Sequence, residues 1–193
     1  MTPPPIGHNN GPTLEPGARW RKHCWAEARS ALLPQLPLNV IRRRVARARA
    51  LGLDYRTYAT VRASTGQDII GFLFSSNALR LARAGHRLPR DRAGHLAALE
   101  RCSRIALMLP PHACAVLEGE PLDDAHAAPA PMALFRDQRA AVLAALAPGK
   151  IPSDRMVLVG DAPFEKEWVA AGRLAAYLPA DRVFSPAGGA QPL

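Results

Sequence analysis

Cysteine and lysine are scarce in this chain, three residues of each, and no apolar run approaches membrane length. Cys24, Cys102 and Cys114 are too few and too scattered for a disulfide framework, and an odd count leaves at least one thiol unpaired. Reduced thiols and a cytoplasmic location are the expectation. A helix that crosses a bilayer needs about 20 consecutive apolar residues, so no membrane partner is expected. The opening stretch, MTPPPIGHNNGPTLEPG, lacks the basic-then-apolar pattern of a secretory leader. Phosphate loops of the GxGxxG kind, or GxxxxGK followed by Ser or Thr, are missing, and so is a GxSxG nucleophile elbow. Neither CxxC nor HxxxH spacing occurs. His112, Cys114, Cys102 and His126 are the nearest thing to a ligand set, and they argue for no metal and no cofactor.

What the chain does have is arginine: 22 of its 25 basic residues, for a net charge of +9. The surplus is local. Residues 1–104 hold 18 basic and 6 acidic side chains, residues 105–193 hold 7 and 10. Polyanions are the natural partners of the first half, and a protein partner suits the less basic surface of the second. Between Asn39 and Gly66 there are seven arginines and a single acid, Asp54.

Periodicity and punctuation divide the chain into four parts. Proline, glycine and polar residues make 1–17 and 187–193 loose tails. Residues 18–66 read as a basic helical segment. A first helix runs from Arg19 to Leu33 until Pro34 and Pro37 stop it, a second covers 38–51, and a third covers 55–63 with Asp54 as N-cap and Gly66 closing it. Residues 67–186 read as an α/β domain. Three buried strands lie at 68–76, 103–110 and 155–161, with one or two short ones in LAAYLP and DRVFS. Helices are expected over ALRLARAG, 93–102, 132–147 and PFEKEWVAAG, and a loop over 118–131. The fold class is therefore α/β: a small, mostly parallel sheet with covering helices, preceded by a basic helical segment.

Within that segment Ala48 stands in one helix, Leu51, Gly52 and Leu53 form the turn, and Tyr58 and Val61 are apolar positions of the next helix. From Arg44 to Ala63 this pattern resembles the helix-turn-helix DNA-binding module. The resemblance implies a recognition helix within 54–63 that presents Arg56, Thr57, Thr60 and Arg62 to a groove, with Arg42, Arg43, Arg47 and Arg49 on phosphates. DNA is then favoured over RNA. Arg47 departs from the pattern, which usually has an apolar residue there, and Arg44 falls inside the apolar sector. A solvated basic helix pair packed on the sheet domain accounts for the same residues. Tyr55 and Tyr58 offer stacking surfaces for unpaired bases, or simply pack.

The second half supplies a rival of another class. Ser75, Ser76 and Asn77 follow one strand, and Asp161, with Glu165 or Glu167 close by, follows another. Ligands of α/β folds bind at such carboxyl ends. A small enzyme acting there on a phosphorylated or carboxylated substrate is the alternative to a nucleic-acid-binding regulatory or accessory protein. An interaction protein is a third reading. The features that separate them are a contiguous basic face on 40–62, polar side chains from separate strand ends converging in one pocket, and an exposed apolar patch.

Overall fold

The structure, a computed structural model, describes residue 20 and residues 36–81, 87–110 and 119–184. Two compact units part between Ile41 and Arg42. Of the first, the described residues are Trp20, which is helical, and 36–41. The rest of the helix expected over Arg19–Leu33, both tails, Cys24, His112 and Cys114 lie outside the described residues.

The sheet belongs to the second unit and grows from the three apolar runs. β1 (Gly71–Ser75), β2 (Ser103–Met108) and β4 (Met156–Gly160) are its centre. β3 (Asp124–Ala127) and β5 (Ala176–Pro179) are its edges. The order is β3-β2-β1-β4-β5, and every pairing is parallel. In register, Leu73 of β1 lies opposite Ile105 of β2 and Leu158 of β4. The order reverses at β1: the chain first steps outward through β2 to β3, then returns past β1 to β4 and β5.

Both faces of the sheet are covered, which is why β1 and β4 are buried throughout rather than alternating. Phe72, Phe74, Ala106, Met108, Val157 and Val159 share a core with Ala48, Leu51, Tyr58, Val61, Leu96 and Val183. These come from helices α1 (Leu38–Ala50), α2 (Tyr55–Thr65), α3 (Arg90–Ala97) and α6 (Ala180–Phe184), with Leu51 from the α1–α2 turn. On the other face Leu73, Leu107 and Leu158 pack with Val142, Leu146 and Trp168, from α4 (Phe135–Leu146) and α5 (Lys166–Gly172). Residues 42–65 thus share one core with the sheet, and no gap in packing marks the expected boundary at 66/67.

The helix ends follow their sequence signals. The Asp54 carboxylate accepts from the Thr57 amide at 2.9 Å. Gly66 caps α2 in the left-handed region at φ +71°, and Gly52 turns the chain between the helices at φ +63°.

Four expectations are corrected. Among the described residues no helix covers the start of ALRLARAG: residues 76–80 are a turn, with Arg80 left-handed at φ +55°, and the remainder from 82 lies outside the described residues. The loop assigned to 118–131 contains edge strand β3. DRVFS is not a strand; Ala180–Phe184 is helix, with Ala180 and Val183 buried three residues apart on one side. Finally, α3 begins at Arg90 and ends at Ala97 rather than Cys102.

The start of β3 is held by a buttress. Asp123 accepts from the Arg104 amide at 2.8 Å and from its guanidinium at 2.7 Å. Partial burial alone would raise its pKa; the bonds from Arg104 outweigh burial and hold it below the ordinary 3.8. The stability it supplies is complete above that value and is lost as pH falls through the lower native one. Asp123→Asn should therefore be less stable than the parent at pH 7, and the difference should shrink below about pH 4. Acid and neutral urea titrations of both proteins measure it; a pH-independent difference would rule out this linkage.

Candidate functional site

Where a parallel sheet reverses its order, the connections leaving the two adjacent strands diverge and leave a crevice at their carboxyl ends. Here those strands are β1 and β4. The turn after β1 is wound tightly on its own polar groups. Ser75 is fully buried, and its Oγ accepts from the Ala78 amide at 3.1 Å. Ser76 Oγ accepts from the Leu109 amide at 3.2 Å, which leaves the hydroxyl proton to donate. The Arg80 and Leu81 amides bond back to Asn77 and Ser76 carbonyls.

The turn after β4 is organised by one acid. Glu165 has no exposed surface. Its Oε2 accepts from the Asp161 amide at 2.7 Å and the Ala162 amide at 3.0 Å, and its Oε1 accepts from Asn77 Nδ2 at 2.8 Å. Gly160 makes room for it: a Cβ there would lie 2.4 Å from Glu165 Oε2 and 2.7 Å from the Tyr177 ring. Burial first, then the charges of Glu165 and Asp161, push the Tyr177 phenol above its ordinary pKa.

Between the two turns is a pocket of about 410 Å³ lined by Ser76, Asn77, Arg80, Leu81, Asp161 and Ala162. Three of the four strand-end residues expected from the sequence meet in it. Ser75 does not; its hydroxyl is spent inside the turn. The volume suits a small molecule. The lining offers a guanidinium and a hydroxyl to an anion, and the exposed Asp161 carboxylate to a hydroxyl or a proton. Glu165 was legible only as an acid near Asp161. What makes it a partner of Asn77 is the return of β4 beside β1.

The arginines of the helical segment separate into two groups. Arg42, Arg43 and Arg49 are exposed on α1, which carries no acid. Arg47 is turned inward: Nε reaches Asp68 at 3.2 Å, Nη2 the Ile69 carbonyl at 2.7 Å and Nη1 the Arg101 carbonyl at 3.2 Å. Asp68 also accepts from the Tyr58 hydroxyl at 2.7 Å and pairs with Arg62 at 3.4 Å. Thr57 is buried, and the Thr60 hydroxyl bonds to the Arg56 carbonyl. Arg56, Thr57 and Thr60 border a cleft of about 640 Å³ whose other wall includes Tyr177, Leu178 and Arg182. Burial pushes the Cys102 thiol up, with Arg47 and Arg104 only partly offsetting it, so this cysteine is not activated. Among the described residues no group of three or more His, Cys, Asp or Glu side chains could hold a metal, and no helix is long and apolar enough to cross a membrane.

Glu165→Ala should leave three donors without their acceptor and cost about 3 kcal/mol of stability. Guanidinium unfolding of the two proteins gives the number. A loss below about 0.5 kcal/mol would mean the bridge is replaceable by water.

Compared with protein-family models, curated proteins and solved structures, the chain matches none of them.

Proposed function

We propose that the protein binds a small anionic molecule, phosphorylated or carboxylated, in the pocket between the β1 and β4 turns. The observation that carries this reading is convergence: Ser76, Asn77 and Arg80 from one strand end and Asp161 from another line a single pocket at the point of strand-order reversal. Arg80 and the Ser76 hydroxyl take the anion. Asp161 accepts from a ligand hydroxyl and is the pocket's candidate general base. A buried scaffold of hydrogen bonds around Glu165 holds these groups in place before the ligand arrives, which lowers the ordering cost of binding.

The test is a thermal-shift and NMR titration with a panel of small phosphate esters and carboxylates. At least one should raise Tm saturably and shift the amides of Ser76, Asn77 and Asp161. Asn77→Ala and Asp161→Asn should each weaken that ligand by about tenfold or more. A panel that moves none of these amides would remove the pocket as a binding site.

Nucleic-acid binding is kept as a second reading because of one specific feature, the exposed Arg42, Arg43 and Arg49 on an acid-free helix. These side chains suit phosphates rather than bases. Contact by three arginines predicts a salt slope that falls by about 0.9 per contact removed. In fluorescence anisotropy, replacing the three by Gln should flatten the slope for duplex DNA without lowering Tm. Arg47→Ala should do the reverse and chiefly destabilise the fold. Equal slopes for the parent and the triple variant would make the α1 arginines a solvated face.

A further inference from the structure

Beside β5 the sheet ends, and its free side opens onto the cleft of about 640 Å³ whose far wall is α2. Thr57, Thr60, Val61 and Ser64 line it from α2, at the three- and four-residue steps of one helical stripe. From Thr57 to Ser64 that stripe is about 10 Å long at 1.5 Å per residue, the length of about three strand residues. Opposite lie Ala176, Tyr177 and Leu178. Val61 and Leu178 are buried in the shared core and Ala176 packs against it, which gives the cleft an apolar floor. No described residue lines both this cleft and the pocket between the β1 and β4 turns.

Pro179 decides which backbone groups of β5 are open. In a parallel ladder, alternate residues of a strand bond to a given neighbour. Leu178 pairs with Val159 and Pro179 with Gly160, and Pro179 has no N–H to give to the Val159 carbonyl. The bonds to β4 therefore come from Ala176 and Leu178, and Tyr177 turns its N–H and C=O outward. No described residue on that side bonds to either group. The Tyr177 ring belongs to the other face of the sheet, against Gly160 and with Lys166 over it. What Tyr177 offers the cleft is its backbone. A strand edge with a free donor and a free acceptor is a template for one more strand.

Charge decides what kind of strand. Arg56, in the first turn of α2, and Arg182, in α6, line the cleft; both are exposed, with no ion pair or hydrogen bond from the guanidinium to a described residue. Asp54 is the one acid in the described lining, and it is committed to capping α2 through the Thr57 amide. Partial burial alone would raise its pKa; the bonds from Thr57 and Arg56, and then the charge of Arg182, hold it below the ordinary 3.8. Arg182 thus stands near the start of α2, and both arginines are at one end of the cleft, the carboxyl end of β5.

We propose that this cleft receives an extended acidic segment of a partner protein. The segment adds a strand to β5 and exchanges backbone bonds with Tyr177. It sets an apolar side chain on Val61 and Leu178 and a carboxylate between Arg56 and Arg182. Side chains of a strand alternate, so the apolar and acidic residues that face the cleft are two apart in the partner's sequence. The added strand is short, because the edge has no N–H at Pro179. Phosphates of a nucleic acid also suit the two arginines, but the apolar floor and the open strand edge suit a peptide.

The probe is a capped pentapeptide, acetyl-Glu-Thr-Val-Thr-Glu-amide, which presents Glu, Val and Glu to the cleft in either chain direction. Titrated into the full chain, it should shift the amides of Ala176, Tyr177 and Leu178 saturably and leave those of Ser76 and Asn77 unmoved. In hydrogen exchange the Tyr177 amide should be unprotected in the chain alone, and saturating peptide should slow it by about tenfold or more. The same peptide with its three central amides N-methylated should bind about tenfold more weakly, and so should a peptide with Lys in place of Glu. Arg56→Gln combined with Arg182→Gln should weaken the acidic peptide by about tenfold without lowering Tm. A Tyr177 amide protected before peptide is added means that the edge is already taken, and overturns the proposal. So does a peptide that shifts none of the three amides, or equal affinity for the methylated and unmethylated or the acidic and basic peptides. Glutarate binding as tightly as the peptide gives the cleft to small dicarboxylates. An oligothymidylate shifting these amides where the peptide does not gives it to nucleic acid. Either result overturns the peptide reading.

Discussion

A reversal of strand order leaves two turns side by side with nothing in the sheet to join them, and in this protein one buried carboxylate joins them. Glu165 accepts from two amides of its own turn and from Asn77 of the other. The rest of the carboxyl end depends on that arrangement. Gly160 has no side chain because the carboxylate takes the space. Asn77 gives its Nδ2 donor to Glu165 and so ties the β1 turn to the β4 turn. Asp161 is held by the acid through its own amide, and the turn that carries Ser76 and Arg80 is joined to the same acid through the Asn77 side chain.

Much of this architecture is legible from residues alone. GFLFS, SRIALM and MVLVG are apolar enough to be strands covered on both faces, and each is one. The capping signals at Asp54, Gly52 and Gly66 act as read. The failures have physical causes. DAHA has no strand pattern, since an edge strand of four residues gains its order from the open edge of β2 rather than from its own side chains. DRVFS has β-forming composition, but Pro179 closes β5 and the following turn buries Ala180 and Val183 helically. Residues 76–80 form a turn where a helix start was expected, and Asn77 there bonds to Glu165, a residue too distant in sequence to be seen as its partner. Sheet order, and hence the pocket, is invisible to local pattern.

The arginine-rich segment shows the same limit from the other side. Its charge count is plain, yet Asp68 lies just beyond the resemblance to a helix-turn-helix and takes both Arg47 and Arg62. Those two cations are internal struts. Arg47, the departure from the pattern, reaches across to the chain entering β1 through Ile69 and to the approach to β2 through Arg101. Its odd position is explained by what it ties together. Of the seven arginines, Arg42, Arg43, Arg44, Arg49 and Arg56 remain, with Arg42, Arg43 and Arg49 exposed on α1, and five is a milder field than seven.

The bridge between the turns also has a history in time. Asn77 and Glu165 are 88 residues apart in the chain. Ribosomes add about 5–20 residues per second, so roughly 4–18 s separate their synthesis. Until β4 is made, β1 has at most one of its two neighbours: once residues 103–108 exist β2 can pair with it, but the edge meant for β4 is open. The strand that sits at the middle of the finished sheet is, while the protein is being made, its most vulnerable edge.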